Sequence, residues 1–186
     1  VLVLLCFAGF LVLNGLAWNH ARSMMHYAEN GTRTPKPEDL GFWKKCKVLV
    51  AGITLPRPHG QATPADVGLA FAPVALSVGA EIQLGAWFCP AEEDHGRIAI
   101  LFHGYGADKS AMLAEAKAFH DLGFSALLVD FRGSGESSES YTTIGYLEAE
   151  DVRAAYEFIR LEFPESTIVL FGQSMGAAAI LRAIHV

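Results

Sequence analysis

The stretch Gly172-Gln173-Ser174-Met175-Gly176 sets a serine between two glycines, each two positions away. Ile168-Val169-Leu170-Phe171 precedes it and Ala177-Ala178-Ala179-Ile180-Leu181 follows it. A serine at a tight strand-to-helix turn, a nucleophile elbow, is held in a strained backbone, so its neighbours two away must be small. The turn aims the hydroxyl away from the sheet. It also sets the free N–H groups and positive end of the helix beneath a developing oxyanion. Ser174 is therefore the candidate catalytic nucleophile, and the backbone N–H of Met175 one candidate donor to an oxyanion hole. An inert glycine-rich turn competes, because so short a pattern arises by chance. The apolar strand before it and the alanine-rich helix after it favour the elbow.

Two further loops carry residues of chemical interest. In His103-Gly104-Tyr105-Gly106 the glycines let the backbone approach a substrate carbonyl, and the backbone N–H of Tyr105 is the second candidate oxyanion donor. A general base must reach the nucleophile and be oriented by a third group, so His103 reads better as a histidine that holds its loop by hydrogen bonds. In Asp130-Phe131-Arg132-Gly133-Ser134-Gly135-Glu136-Ser137, Asp130 and Arg132 read as a buried ion pair shaping the turn rather than as a catalytic pair.

These loops need elements to position them. Pro73 to Val78 and Glu81 to Phe88 are β-rich and separated by Gly79-Ala80, which predicts a hairpin. Arg97 to Phe102, Phe124 to Val129 and Ser166 to Phe171 are short apolar runs, as expected of strands covered on both faces. Helices are predicted over Lys109 to Leu122, Ile144 to Phe163 and Gly176 to Ile184, with Gly123 and Pro164 as stops. Strand and helix in alternation predict an α/β fold with a mostly parallel sheet and right-handed crossovers. Ligand sites in such sheets lie beyond the carboxyl ends of the strands, where the three loops fall.

A strand followed by His-Gly-x-Gly, then Asp-x-Arg-Gly-x-Gly-x-Ser, then Gly-x-Ser-x-Gly resembles the α/β-hydrolase superfamily. The branch it is most similar to holds the Bem46-like and serine aminopeptidase S33-type hydrolases. The resemblance runs from Pro73 to the end of the chain. It implies an α/β-hydrolase fold and a Ser174 that attacks an ester, thioester or amide carbonyl, with Tyr105 and Met175 donating to the oxyanion. It also implies structural roles for Asp130 and Arg132, beside the turn-shaping roles read above for Gly104, Gly172 and Gly176. The family's acid and base follow the nucleophile in the order Ser, Asp/Glu, His. Here the one downstream histidine, His185, lies at the far end of the helix that starts at the elbow, about 15 Å away at 1.5 Å per residue. It is rejected as the base. The sequence opens on Val rather than Met and stops within an apolar segment, so it reads as part of a longer chain whose acid and base lie beyond Val186. An unassisted serine hydroxyl is a weak nucleophile, and the piece alone is expected to be inactive or nearly so.

Residues 65–186 thus form the amino-terminal part of a hydrolase domain. Before them, residues 1–18 contain one polar side chain, Asn14, and no charge. This is just short of the about 20 residues that span a bilayer. Trp18 suits the headgroup interface. Ala17 to Ala21 offer no small-x-small cleavage pattern, so an uncleaved single-pass transmembrane anchor is favoured over a signal peptide. The flank carries Arg22, Arg33, Lys36, Lys44, Lys45 and Lys47 against Glu29, Glu38 and Asp39, which weakly favours a cytoplasmic body. Residues 19–64 read as a proline-punctuated connector with one short helix over Asp39 to Leu49. That helix either lies on the membrane face or is part of a plain linker.

Composition narrows the function further. The 186 residues are 52% apolar and 18% charged, with a net charge of −6 and no long cationic run, so nucleic acid is not an expected partner. The three cysteines have neither a disulfide-framework nor a zinc-site spacing, and no metal or cofactor is expected. Phosphate-binding patterns fail on spacing, since neither glycine-rich loop matches a P-loop or a dinucleotide fingerprint. The expected function is a membrane-anchored serine hydrolase acting on a small acyl substrate, lipidic by proximity, through an ester or thioester bond. The alternatives are a serine peptidase or aminopeptidase of the same fold, and a non-catalytic hydrolase-fold binding protein.

Overall fold

A computed structural model of the chain describes residues 1–93 and 95–185. It divides into two compact units, Val1–Pro56 and Arg57–Val186.

In the first unit, α1 (Leu2–Met25) is a helix of 24 residues, about 36 Å long at 1.5 Å per residue. Its apolar window has a mean hydropathy of 1.9 and none of it is buried. The helix continues past the apolar stretch to Met25, because Asn19 to Met25 contain no Gly or Pro to stop it. The helix expected over Asp39 to Leu49 is shifted. Pro37–Asp39 forms a single 3₁₀ turn, and α2 (Phe42–Ala51) starts after Gly41 and ends at Gly52, whose φ of 82° only glycine adopts readily. The last turn of α2 is tied to α1. Asn19 Nδ2 donates to Val50 O at 3.0 Å, His20 Nε2 lies 2.8 Å from Leu49 O, and Ser23 Oγ accepts from Ile53 N at 3.2 Å.

The second unit is a five-stranded mixed sheet with helices on both faces. Its strands are β1 (Ala72–Val78), β2 (Ile82–Cys89), β3 (Arg97–Phe102), β4 (Ser125–Val129) and β5 (Thr167–Gly172), in the spatial order β1-β2-β4-β3-β5. β1 and β2 form the expected hairpin, and β2 pairs antiparallel with β4. β3 pairs parallel with both β4 and β5. The parallel part is thus the β4-β3-β5 trio joined by helical crossovers, and the hairpin lends the other side its antiparallel character. Period-two alternation sorts the central strand between two cores. Ile98, Ile100 and Phe102 pack with Val152, Ala155, Ile159, Met175 and Ala179 on one face. Ala99 and Leu101 pack with Met112, Leu113 and Ala116 on the other.

Three helices follow these strands. α3 (Leu113–Asp121) is preceded by a 3₁₀ turn, Lys109–Met112, capped by the Asp108 side chain accepting from Ser110 N. α4 (Glu148–Glu162) starts after the expected Ile144. Ile144 and Gly145 have φ of 54° and 97°, outside helical space. The buried Glu148 carboxylate holds this turn instead, accepting from Thr142 Oγ1, from Thr143 N and Oγ1, and from Gly145 N at 2.6 to 2.8 Å. Burial works to raise the Glu148 pKa, but these hydrogen bonds outweigh it and the net shift is downward. α5 (Met175–His185) closes the unit.

Candidate active site

Register brings the three loops together. Phe102, the last residue of β3, pairs with Val129 of β4 and with Gly172 of β5. All three parallel strands therefore end at one level, and the loops that follow share one edge. The elbow is fastened to that edge by Gln173 N donating to Phe102 O at 3.1 Å.

Ser174 stands between β5 and α5 with φ of 49°, a left-handed conformation that is uncommon in a non-glycine residue. Its side chain is exposed. The turn is closed by Gly176 N donating to Gln173 O at 2.8 Å, and α5 continues with Ala178 N to Ser174 O at 3.1 Å. The two elbow glycines occupy places that admit no side chain. A Cβ on Gly172 would lie 2.5 Å from the carbonyl carbon of Gly176, and one on Gly176 would lie 2.5 Å from Phe102 O.

The loop after β3 lies against the serine. A Cβ on Gly104 would sit 3.7 Å from Ser174 Cβ and 3.5 Å from Gln173 O. The Gly104 backbone thus faces the hydroxyl-bearing residue, with Tyr105 next in the chain and its half-buried ring packed on the core that includes Met175. Met175 opens α5, and the N–H groups of a helix's first turn have no acceptor within the helix. Its side chain is buried and its sulfur lies 3.4 Å from Thr142 Oγ1, which packs the helix start against the loop before α4.

His103 is fully buried, with both ring nitrogens engaged. Nε2 accepts from Phe131 N at 3.1 Å, so Nδ1 carries the proton and donates to Gly104 O at 2.8 Å. Burial lowers its pKa, outweighing the raising influence of the Gly104 carbonyl and of Asp130. A neutral ring spent on two backbone groups bridges the loops after β3 and β4.

Asp130 and Arg132 correct the expectation of a mutual ion pair. Asp130 is fully buried and accepts from Lys109 N at 2.7 Å, Lys109 Nζ at 2.5 Å and Glu136 N at 3.0 Å. Arg132 turns instead to Asp151 of α4, with Nη2 to Oδ1 at 2.7 Å and Nε to the same oxygen at 3.0 Å, and also reaches Glu150. Burial alone would lower the Arg132 pKa. The hydrogen bonds and charges of Asp151 and Glu150 override it and hold the guanidinium cationic. Lys109, Glu148 and Asp151 are the residues that sequence reasoning missed. Lys109 is almost wholly buried and its ammonium also lies 4.4 Å from the centre of the Trp87 ring. No local signal marks these three residues, since charged residues such as Glu115, Lys117, Glu150 and Arg153 share the same helical stretches.

His185 ends α5 and is exposed, at the far end of the helix from Ser174. Among the described residues no cluster of three or more His, Cys, Asp or Glu could hold a metal ion. Burial pushes the Cys89 thiol up to about 11.

A strand, a tight serine turn and a helix at the carboxyl edge of this sheet define the class of α/β-hydrolase-fold serine hydrolases. The solved structures agree. Esterase Pf2001 of Pyrococcus furiosus superposes with a TM-score of 0.64 at 30% identity, over 69% of this chain and 51% of that one. XC6422 of Xanthomonas campestris, a member of the α/β serine hydrolases without a lid, does so with a TM-score of 0.52 at 30% identity, over 61% of this chain and 55% of that one. Residues 93–186 match the family described as serine aminopeptidase, S33, and the chain belongs to that family. Among relatives, the uncharacterized protein Rv2307c of Mycobacterium tuberculosis is 34% identical over 100 residues, 52% of this chain and 35% of its own length. Human protein ABHD12B is 29% identical over 102 residues, 54% of this chain and 28% of its own length. The chain thus spans about a third of the length of the curated relatives it matches.

Proposed function

We propose that the protein is a membrane-anchored serine hydrolase that cleaves a carboxylic ester or thioester through an acyl-enzyme on Ser174. The carrying observation is the left-handed, exposed Ser174 at the strand-to-helix turn, backed by two glycines that leave no room for a Cβ. In this reading the serine oxygen bonds to the acyl carbon, and the tetrahedral oxyanion accepts from the N–H groups of Tyr105 and Met175. The alcohol or thiol leaves with a proton, and water then releases the acid.

The proton acceptor and its orienting acid are assigned to chain beyond residue 186. Between Met175 and Val186 the only titratable groups are Arg182 and His185, and the matched relatives are far longer. The outer strand β5 has its apolar residues Ile168 to Phe171 only half-buried, and Leu181 and Ile184 of α5 are 67% and 68% exposed. Such surfaces call for cover by further chain. Residues 1–186 alone are therefore expected to turn over substrate negligibly.

Ester chemistry is favoured by the Pyrococcus relative, an esterase, and α1 as an anchor would hold the enzyme at a lipidic substrate pool. The family's description favours a second reading, an amino-terminal peptidase. The test is labelling of the intact protein with a fluorophosphonate probe, with turnover of acyl esters, thioesters and amino-terminal peptide amides in parallel. Labelling is expected to vanish in Ser174→Ala. Equal labelling of both proteins would remove Ser174 from its role, and no labelling of either would leave a binding protein. Peptide turnover without ester turnover would reverse the substrate order.

A further inference from the structure

We infer that α2 is an interfacial helix that docks on an anionic lipid surface beside the point where α1 enters it. This rests on the reading of α1 as a membrane anchor.

At 3.6 residues per turn, Leu49, Phe42, Cys46, Val50 and Trp43 fall within an arc of about 120° on α2. Lys45 borders that arc on one side and Lys47 on the other, while Lys44 lies opposite. Within the unit nothing covers the stripe. Phe42 is 70% exposed, Trp43 81%, Leu49 59% and Val50 64%. An apolar stripe with aromatic residues at one end and lysines along both borders is the pattern of a helix that lies in a headgroup layer. Its rings and aliphatic groups sink in, and the lysine stems reach up to phosphates.

Charge and position agree with this pattern. Val1–Pro56 carries six Lys and Arg against three acidic side chains, in a chain whose net charge is −6. The unit that holds the apolar helix is thus net +3, while Arg57–Val186 is net −9. The acidic residues nearest α2 in sequence, Glu38 and Asp39, lie in the 3₁₀ turn before it, and α2 itself has none. The depth of α2 is set by α1. Asn19 and His20, which hold the Val50 and Leu49 carbonyls, directly follow Trp18. The Trp18 ring is exposed and lies under the Arg22 guanidinium at 5.6 Å. A tryptophan at the end of an apolar span belongs at headgroup level. The hydrogen bonds hold the last turn of α2 at that same level, where anionic lipids attract lysines.

The experiment uses the whole chain in vesicles whose phosphatidylcholine carries brominated acyl chains, with and without phosphatidylserine. Tryptophan quenching is compared among the parent, Trp18→Phe and Trp43→Phe. The quenching lost in Trp18→Phe reports α1, and that lost in Trp43→Phe reports α2. The expected result is quenching of Trp43 that grows with phosphatidylserine and falls back to the phosphatidylcholine value in a K44Q/K45Q/K47Q variant. All three lysines are exposed, so the variant leaves the fold intact, which circular dichroism checks. A quenched Trp18 with an unquenched Trp43 overturns the docking of α2 alone, as does Trp43 quenching indifferent to phosphatidylserine. An unquenched Trp18 overturns the anchor reading itself.

Discussion

The His103 imidazole is fully buried, with both ring nitrogens spent on backbone groups of two loops. Its burial lowers the folded-state pKa below the ordinary value of about 6.5, so between the two values the unfolded chain binds more protons than the folded one. Stability then rises with pH across that window. It is complete above about pH 6.5 and declines as pH falls below it. Urea unfolding of the detergent-solubilised chain is expected to show a midpoint that drops on acidification below pH 6.5, and His103→Gln is expected to flatten that drop. A midpoint equally sensitive in the variant would place the effect elsewhere. The strain at Ser174 is of a different kind. It is a backbone cost, of order 1 to 3 kcal/mol for such conformations. It is sustained because Gln173 N and Gly176 N close the turn and no side chain opposes the contact with Phe102 O.

Among the elements, the joint between the loop after β4 and the start of α4 rests on a buried ion pair. Arg132 and Asp151 are both almost wholly buried and hydrogen-bonded through two guanidinium nitrogens. Removing one partner leaves the other charged in a poorly solvated place. Arg132→Ala is expected to cost about 3 to 5 kcal/mol, while replacing both by Met and Leu costs less. Denaturant titration of the two variants checks this, and equal losses would show that packing rather than the stranded carboxylate dominates. Glu148 at the start of α4 performs a related service for the preceding turn, where four donors converge on it. The elements at the site edge are thus joined by buried carboxylates, with His103 bridging the loops after β3 and β4.

For the whole molecule, the sign of the charge differs between the two units, net +3 over Val1–Pro56 and net −9 over Arg57–Val186. The proposed anchor makes a direct expectation for its cellular form. The intact chain should stay with the membrane pellet through an alkaline carbonate wash and be released by detergent, whereas a chain lacking residues 1–18 should remain in the supernatant. Recovery of a shortened mature chain would identify α1 as a cleaved signal sequence, the other role that a 24-residue apolar helix near the amino terminus can fill.

Much of the second unit is legible along the chain, because its causes are local. Glycine spacing around Ser174, the apolar runs of β3, β4 and β5 and the stops at Gly123 and Pro164 act over a few residues, and short-range patterns report short-range causes. The pairing of the ends of β3, β4 and β5 comes from strand register, which no single loop contains. Asp130 and Arg132 share one loop, yet their partners Lys109 and Asp151 lie 21 and 19 residues away. A buried carboxylate takes whichever donors the fold carries to it. The late start of α4 has the same origin, since the Glu148 side chain accepts from the turn before it, where Ile144 and Gly145 stand outside helical φ. Sequence periodicity names the elements and their glycine turns. Two properties of the assembled fold decide the rest: hydrogen-bond satisfaction of the buried Glu148 sets where α4 begins, and strand register sets which loops share the edge at Ser174.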